Sequence, residues 1–256
     1  MRSINRLAAL SLLLITFIVN AGDSIPTEIV IRAKAKDAKF IGSSIGGALI
    51  KIKDADSGEI LAQGITAGST GNTSLIMKQP RSRYTAIAEN AAAFKATLDI
   101  DKPTFLTIEV LSPYIKKQAR VLSQTQTWLV PGKPINGDGL IVEVPGMIVD
   151  ILNPQTHAYA NIEGSPFEIT ANVVMMCGCS LTRGGIWNGD KMEVAAIVAR
   201  NGDPYKTIPL KLQDKMNTFS SELVVKAAGV YQVTVYAYDP KTGNTGVDRT
   251  SFIVKE

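Results

Sequence analysis

An alternation of apolar and polar side chains, repeated in short runs from residue 27 onward, constrains the fold more than any other feature of the sequence. In residues 48–53, for example, Ala48, Ile50 and Ile52 occupy every second position. A period of two places successive side chains on opposite faces of a strand, and the Gly, Asp, Asn and Pro residues between the runs favour turns. The segment Asn90-Ala-Ala-Ala93 is too short to nucleate a helix. The chain is therefore predicted to be all-β.

The alternation and the turn residues give the positions of the individual strands. We predict strands at residues 27–34, 48–53, 59–64, 84–89, 93–100, 104–111, 124–130, 140–152, 167–176, 191–200, 204–213, 219–225, 229–238 and 249–254. The run 140–152 should be divided at Pro145-Gly146. Residues 54–58, Asp-Ala-Asp-Ser-Gly, should form a turn, because Asp and Ser bond nearby backbone and glycine accepts positive φ.

The N-terminal half carries a set of hairpin motifs. They are Ala48-x-Ile-x-Ile-x-Asp54, Ser57-Gly58-Glu59-x-Leu61-Ala62-x-Gly64-x-Thr66, Gly71, and Pro80-x-x-x-Tyr84-x-Ala86-x-Ala88. Residues 27–112 on this basis resemble the seven-stranded prealbumin-like modules, namely the carboxypeptidase-regulatory and collagen-adhesin B-type domains. Two family positions differ, with Ala-Gly-Ser-Thr-Gly at 67–71 and Ser-Arg at 82–83. The resemblance implies the fold of a non-catalytic spacer or binding unit.

The C-terminal half ends in a second recognisable hairpin. It reads Gly229-x-Tyr231-x-Val233-x-Val235-x-Ala237-x-Asp239, followed by a Gly-Asn turn at 243–244 and a terminal valine-containing strand. This pattern resembles the last hairpin of immunoglobulin-like domains of secreted bacterial proteins. The resemblance implies an immunoglobulin-like β-sandwich and says more about fold than about function.

Residues 1–21 have the three parts of a secretory signal peptide. A basic start with Arg2 and Arg6 leads into the apolar run 7–19, and Val-Asn-Ala at 19–21 supplies the small residues of a cleavage site. The apolar run is shorter than the roughly 20 residues that span a bilayer, and no other run is long enough. We therefore predict export to the periplasm or beyond, with no transmembrane segment in the mature chain. An uncleaved anchor is the alternative.

The predicted domain order is a signal peptide at 1–21, a prealbumin-like sandwich at 22–112, a linker at 113–139 and an immunoglobulin-like sandwich at 140–256. The linker prediction depends on its prolines at 113, 131 and 134 and on the basic cluster of Lys116, Lys117 and Arg120. The chain has 27 basic and 23 acidic side chains, and without Arg2 and Arg6 the basic and acidic side chains are nearly balanced. Nucleic acid is therefore not predicted as a partner.

The sequence offers little that resembles a catalytic site. It contains one histidine, His157, and has no Gly-x-Ser-x-Gly, His-Glu-x-x-His or phosphate-binding glycine loop with lysine. His157 follows Pro154-Gln-Thr and is expected in a surface turn. No catalytic residue is assigned.

The residues with the greatest chemical reactivity lie in the segment 173–187, which contains both cysteines of the chain, Cys177 and Cys179. In a regular strand residues i and i+2 lie roughly 6.5–7 Å apart, whereas a disulfide needs Cβ atoms about 3.8 Å apart. Gly178 permits the tight turn that would allow the bridge. Closing three residues stabilises a fold by only about 1.6 kcal/mol, and small strained bridges are easily reduced.

Three interpretations of this segment stay open. The first is a turn-local disulfide or two unreactive thiols. The second is a soft-metal site for Cu(I), formed by Cys177, Cys179 and Met175, with Met176 or Met192 nearby. The third is thiol–disulfide exchange or an intermolecular disulfide. Trp187 and Arg183 are candidate ligand contacts in the loop that follows, and Trp187 could instead cover the thiols.

The leading functional prediction is an exported, non-enzymatic binding or structural module of the cell envelope, with an envelope protein or surface ligand as partner. The alternative is a copper-handling or thiol-redox protein that uses Cys177 and Cys179. An enzyme acting on polysaccharide or peptide is a third hypothesis.

Overall fold

The computed structural model describes residues 23–256, so the predicted signal peptide lies outside the described residues. Within this part of the chain the alternating runs form strands that pair into four sheets. The predicted all-β fold with two β-sandwiches is confirmed, because two of the sheets come from residues 25–144 and two from residues 147–255.

Seven strands build the first sandwich. They are β1 (Ile25–Ala35), β2 (Leu49–Asp54), β3 (Ile60–Ile65), β4 (Phe94–Ile100), β5 (Thr104–Ser112), β6 (Val121–Leu129) and β7 (Ile135–Val144). One sheet has the order β4-β1-β7, with β1 antiparallel to β4 and parallel to β7. The other has the order β3-β2-β5-β6 and is antiparallel throughout.

Nine strands build the second sandwich. They are β8 (Met147–Asn153), β9 (Ala158–Asn161), β10 (Phe167–Met175), β11 (Glu193–Arg200), β12 (Asp203–Pro209), β13 (Lys211–Leu212), β14 (Thr218–Leu223), β15 (Gly229–Tyr238) and β16 (Thr245–Lys255). The sheet orders are β13-β14-β10-β8 and β12-β11-β15-β16-β9. All pairs are antiparallel except β16 with β9.

In the part of the chain that the structure describes, helical structure is limited to single turns. Four are 3-10 turns, at Ser43–Ile45, Lys117–Ala119, Ile162–Gly164 and Gly189–Lys191, and one is a π-type turn at Ser74–Lys78. Among residues 23–256, no helix has the length and apolar character needed to cross a bilayer.

The alternation predicted from the sequence places one set of side chains inside each sandwich. In β2, Ile50 and Ile52 are fully buried whereas the residues between them are partly exposed. In the second sandwich the rings of Tyr231 and Phe252 stack with centroids 5.3 Å apart. Because buried side chains of both sandwiches form one connected cluster, the two units pack against each other.

Strand pairing corrects the predicted linker at residues 113–139. The segment contains β6, which pairs with β5, and most of β7, which pairs with β1. Both strands therefore belong to the first sandwich, and so does Leu140, where the second domain was predicted to begin. The first sandwich ends with β7 and the second begins with β8, and Pro145-Gly146 forms the bend between them. The predicted division of the run 140–152 at Pro145-Gly146 is therefore confirmed.

The predicted strand at residues 84–89 is wrong, and β9 was not predicted. The backbone N–H groups of Ile87 and Ala88 donate to the Asp138 carboxylate, each at 3.0 Å, instead of to a neighbouring strand. A side chain thus satisfies the donors that a sheet would otherwise have satisfied. The turn at residues 54–58 is confirmed, since the N–H groups of Asp56 and Ser57 donate to Asp54 Oδ1 and Gly58 has φ +76°.

Candidate functional site

The two cysteines lie in a tight hairpin turn that continues from β10. Gly178 N donates to Met175 O at 2.7 Å, Met175 N donates to Cys179 O at 3.0 Å, and Val174 pairs with Ser180. This is the bonding pattern of a three-residue hairpin loop, whose third position takes positive φ. Gly178 fills that position with φ +77°, which any other residue would adopt only with strain.

Cys177 and Cys179 form a disulfide across this turn, with Cα atoms 5.4 Å apart. Their side chains are largely enclosed, since Cys177 is 1% exposed and Cys179 is 9% exposed. Of the interpretations left open by the sequence, the structure contains the turn-local disulfide. Both sulfurs are therefore bonded to each other and neither is a thiolate in this state.

The loop at residues 182–190, which follows the cysteine turn, is held together by hydrogen bonds to the backbone of Thr182. Gly185 N donates to Thr182 O, Thr182 N donates to Trp187 O, and Gly189 N donates to Thr182 O. An added Cβ at Gly185 would lie 2.1 Å from Thr182 Oγ1, so a larger residue there would force the Thr182 side chain to move. Asn188 Oδ1 accepts from the N–H groups of Gly184 and Asp190. The sequence Thr-Arg-Gly-Gly-Ile-Trp-Asn-Gly-Asp at 182–190 thus forms a self-bonded loop that fixes the position of Trp187.

Trp187 joins the two sandwiches. Its ring is 8% exposed, and its Nε1–H donates to the backbone carbonyl of Asp37 at 2.8 Å. Asp37 belongs to the tight turn after β1, where Ala38 N donates to Ala35 O. The buried Asn244 of the second sandwich donates through Nδ2 to the preceding carbonyl of that turn, Lys36 O, at 3.1 Å. Two side chains of one sandwich therefore bind consecutive carbonyls of the other.

The cysteine turn also lies against the first sandwich. A Cβ placed on Gly178 would make ordinary contact, at 3.7 Å, with the side chain of Ile45. The methyl group of Met176 lies against Gly146, in the bend between the sandwiches. We call this region the junction, and it consists of the following residues: the turn 35–39, Ile45, Gly146, the turn 175–179, Trp187 and Asn244.

Two open clefts flank Trp187 at the junction. One, of about 290 Å³, is lined by residues 177–180 together with Lys39, Ser44 and Thr70. The other, of about 380 Å³, includes Asp37, the loop 184–188, Asp239 and Lys241. Solvent thus reaches the rim of the cysteine turn, while the sulfur atoms themselves are mostly covered.

The structure brings together most, but not all, of the residues singled out in the sequence. Met175 is fully buried and lies opposite Cys179 in the hairpin. Arg183 is turned away from the sulfurs into an ion pair with Asp190 at 2.9 Å, and it donates to Leu212 O. Trp187 is buried and lines the same cleft as residues 177–180, so its two predicted roles, as a ligand contact and as a cover for the cysteines, both stay predictions.

Sequence reasoning missed every residue that the first sandwich contributes. Asp37, Lys39, Ser44, Ile45 and Thr70 lie more than 100 positions before the cysteines. Asp37 has φ +53° in the turn after β1, and aspartate is one of the few residues besides glycine that adopt such a conformation readily. No pattern within the chain indicated that this turn would meet Trp187.

No protein-family model and no curated protein matches the chain. Solved structures give weak likenesses. The fibronectin(III)-like modules of Clostridium thermocellum CbhA are 13% identical with a TM-score of 0.28 and 93% of both chains covered. The chicken interferon gamma receptor alpha chain is 12% identical with a TM-score of 0.34, covering 91% of this chain and 98% of that one.

An engineered protein is 16% identical with a TM-score of 0.33 over 50% of this chain, which spans only 24% of that protein's length. The fold described above therefore rests on the strand pairings and not on these likenesses.

Proposed function

We propose that the protein is an exported, non-enzymatic binding or structural module of the cell envelope, in which the junction holds two β-sandwiches at a fixed angle. This proposal is supported chiefly by the segment 173–187, which contains both cysteines and packs against the first sandwich. Trp187 donates to Asp37 O across the junction, and the Cys177–Cys179 turn packs between Ile45 and the bend at Gly146. A rigid pair of sandwiches suits a spacer or a presenter of binding surfaces.

The proposal includes a prealbumin-like fold for the first sandwich and an immunoglobulin-like fold for the second. The seven strands in two sheets over residues 25–144 support the resemblance to prealbumin-like modules, and the β15–β16 hairpin at the end of the chain supports the resemblance to immunoglobulin-like domains. Both kinds of module serve as spacers or binding units.

The thiol-redox hypothesis has one observation in its favour, since the disulfide lies on the wall of an open cleft that also contains Lys39. A nearby ammonium group stabilises a thiolate and would assist exchange. The copper hypothesis needs both thiolates as ligands, and the disulfide uses both sulfurs. Cu(I) binding would therefore begin only after reduction, and Cu(I) titration of the reduced wild type against Cys177→Ser and Cys179→Ser tests it.

Replacing both cysteines by alanine should leave the fold intact without burying a new polar group. Because the bridge closes only three residues, its loss should lower the free energy of unfolding by about 1.6 kcal/mol or less. Urea unfolding of the double variant against wild type measures the change. In parallel, wild type should not accelerate reduction of insulin by dithiothreitol. Acceleration that disappears in the Cys177→Ser variant would replace our proposal with the thiol-exchange one.

Export can be tested at the N-terminus. Expressed with its leader in a Gram-negative host, the protein should be recovered from the periplasm or medium with its N-terminus at Gly22, as read by mass spectrometry. Ala21→Tyr places a bulky side chain at the cleavage site and should leave the precursor uncut. Recovery of full-length wild type from the cytosol would contradict the export proposal without affecting the junction.

A further inference from the structure

A second surface of the molecule, which shares no residue with the junction, carries the features of a binding face. It is the outer face of the β3-β2-β5-β6 sheet. The inward side chains of β5, Leu106, Ile108 and Val110, are fully buried, so the alternate residues face outward. The outer face is defined by the following residues: Leu49, Lys51, Lys53, Ile60, Gln63, Ile65, Phe105, Thr107, Glu109, Leu111, Leu122, Gln124, Gln126 and Trp128.

One end of the outer face is an aromatic platform. Phe105 and Trp128 are directly paired across β5 and β6, and their ring centroids are 4.8 Å apart with planes inclined by 31°. Trp128 is nevertheless 59% exposed. A large apolar ring held in place by a neighbouring ring, and left open to solvent on an edge strand, offers a preorganised stacking surface.

Next to the platform runs a strip of uncharged hydrogen-bonding groups. Gln124 and Gln126 are exposed on the same face of β6 as Trp128. Gln126 Nε2 donates to Thr107 Oγ1 at 3.0 Å, which fixes the amide and leaves its carbonyl oxygen free to accept from a ligand. Amide side chains both donate and accept, as the hydroxyl groups of a sugar do.

The charged groups of the outer face largely cancel. Of its three charged side chains, Lys53 and Glu109 form an ion pair at 2.5 Å, and Lys51 is the third. A face with so little net charge does not attract polyanions or polycations. A neutral ligand fits it better.

The dimensions indicate a chain-like ligand. From Phe105 to Leu111 the strand advances six residues, or about 20 Å. At the far end a shallow cleft of about 180 Å³ is lined by Leu49, Lys51, Glu109, Leu111 and Leu122. An extended ligand could therefore contact the aromatic platform, the amide strip and this cleft at once.

We propose that the outer face binds a neutral polysaccharide. The apolar C–H face of a sugar ring stacks on Trp128, because its hydrogens carry partial positive charge and the indole face is negative. Gln124 and Gln126 bond the hydroxyl groups of the next units along the strand. This inference goes beyond the proposed function of the junction and does not depend on it.

A second copy of this chain is the competing occupant. Homodimer interfaces are depleted in charged groups at their centre and enriched in apolar ones. Here the centre of the face is the row Gln63, Lys51, Glu109 and Gln124, whereas the apolar side chains lie at its two ends. This arrangement favours a hydroxyl-rich ligand over a protein copy.

Native affinity electrophoresis of the whole purified protein tests the proposal. The gels contain hydroxyethylcellulose, mixed-linkage β-glucan, neutral arabinoxylan, galactomannan or glycogen, with a gel free of polysaccharide as reference. We expect at least one of these to retard wild type. Trp128→Ala should weaken the affinity at least tenfold, as truncation of a central tryptophan commonly does, and Gln126→Ala should weaken it less. Tyr159→Ala, at an aromatic residue that is 58% exposed on the other sandwich, should leave retardation unchanged.

Fluorescence gives an independent readout, since the chain has only two tryptophans and the other one, Trp187, is buried. Binding should shift the emission of Trp128 to shorter wavelength. Retardation by none of the five polysaccharides, or equal retardation of wild type and a folded Trp128→Ala variant, would overturn the proposal. A concentration-dependent dimer in light scattering that Trp128→Ala abolishes would assign the face to a second copy instead.

Discussion

Arg32→Met should lower the free energy of unfolding by about 3 to 5 kcal/mol, because it removes the donor from several backbone carbonyls. Arg32 lies on the face of β1 opposite to the core residues Ile31 and Ala33, yet it is only 7% exposed. Its guanidinium donates to backbone carbonyls of Asp138, Ala91 and Ala92. Methionine fills a similar volume but leaves these buried oxygens without a donor, at a cost of about 1–3 kcal/mol for each group that finds no new partner.

The arginine stabilises more than its own strand. Burial lowers the pKa of Arg32, and the nearby carboxylate of Asp138 opposes that shift by favouring the charged form. The same carboxylate accepts the N–H groups of Ile87 and Ala88. Arg32 therefore holds both the non-strand segment before β4 and the start of β7 against β1. In the variant, amide hydrogen exchange should accelerate first at residues 87–92, before the rest of the sandwich.

Arg183→Met is the matched control for this experiment. Its guanidinium is mostly exposed and forms a surface ion pair with Asp190. Such pairs contribute about 1 kcal/mol or less. Urea unfolding monitored by circular dichroism compares the two variants with wild type. Equal losses in both variants would show that Arg32 acts as an ordinary surface cation and that its buried carbonyl contacts contribute nothing.

The sequence predicted structure best where strand and turn signals were both local. The strand at 229–238 has the predicted bounds, because its alternation is flanked by Gly229 and by the turn that begins at Asp239. The bend at Pro145-Gly146 and the turn at 54–58 were predicted for the same reason. Gly178 indicated that a tight turn was possible between the cysteines, and it has φ +77° in the turn that the structure contains.

Prediction failed where a residue's role depends on a distant strand. Pro131 and Pro134 indicated a linker, yet β7 pairs in parallel with β1, about 110 positions earlier in the chain. Arg32 occupies what looks like the polar position of an alternating strand, and its burial arises only because the segment 87–92 and β7 cover it. Ile45 and Asp37 could not be assigned to the junction from the sequence for the same reason, since their partners Gly178 and Trp187 lie in the second sandwich.

Trp187→Ala should lower the free energy of unfolding by about 3 to 5 kcal/mol, the range for removing a buried tryptophan. The substitution opens a cavity beside the cysteine turn and leaves Asp37 O without its donor. Trp187→Phe retains most of the apolar volume and loses only the N–H, so we expect a loss of about 1 kcal/mol. Trp128→Ala, at the exposed tryptophan, should cost less, about 0.5–1.5 kcal/mol, because it removes only the ring pair with Phe105.

The shape of the unfolding curve separates local packing from a role in the junction. If the junction couples the sandwiches, wild type unfolds in one transition, and Trp187→Ala divides it into two because the contact from Trp187 to Asp37 is lost. Small-angle scattering should then show a larger radius of gyration for the folded variant than for wild type. A single transition and an unchanged radius in Trp187→Ala would mean that Trp187 stabilises its own sandwich alone, and the fixed-angle proposal would fail.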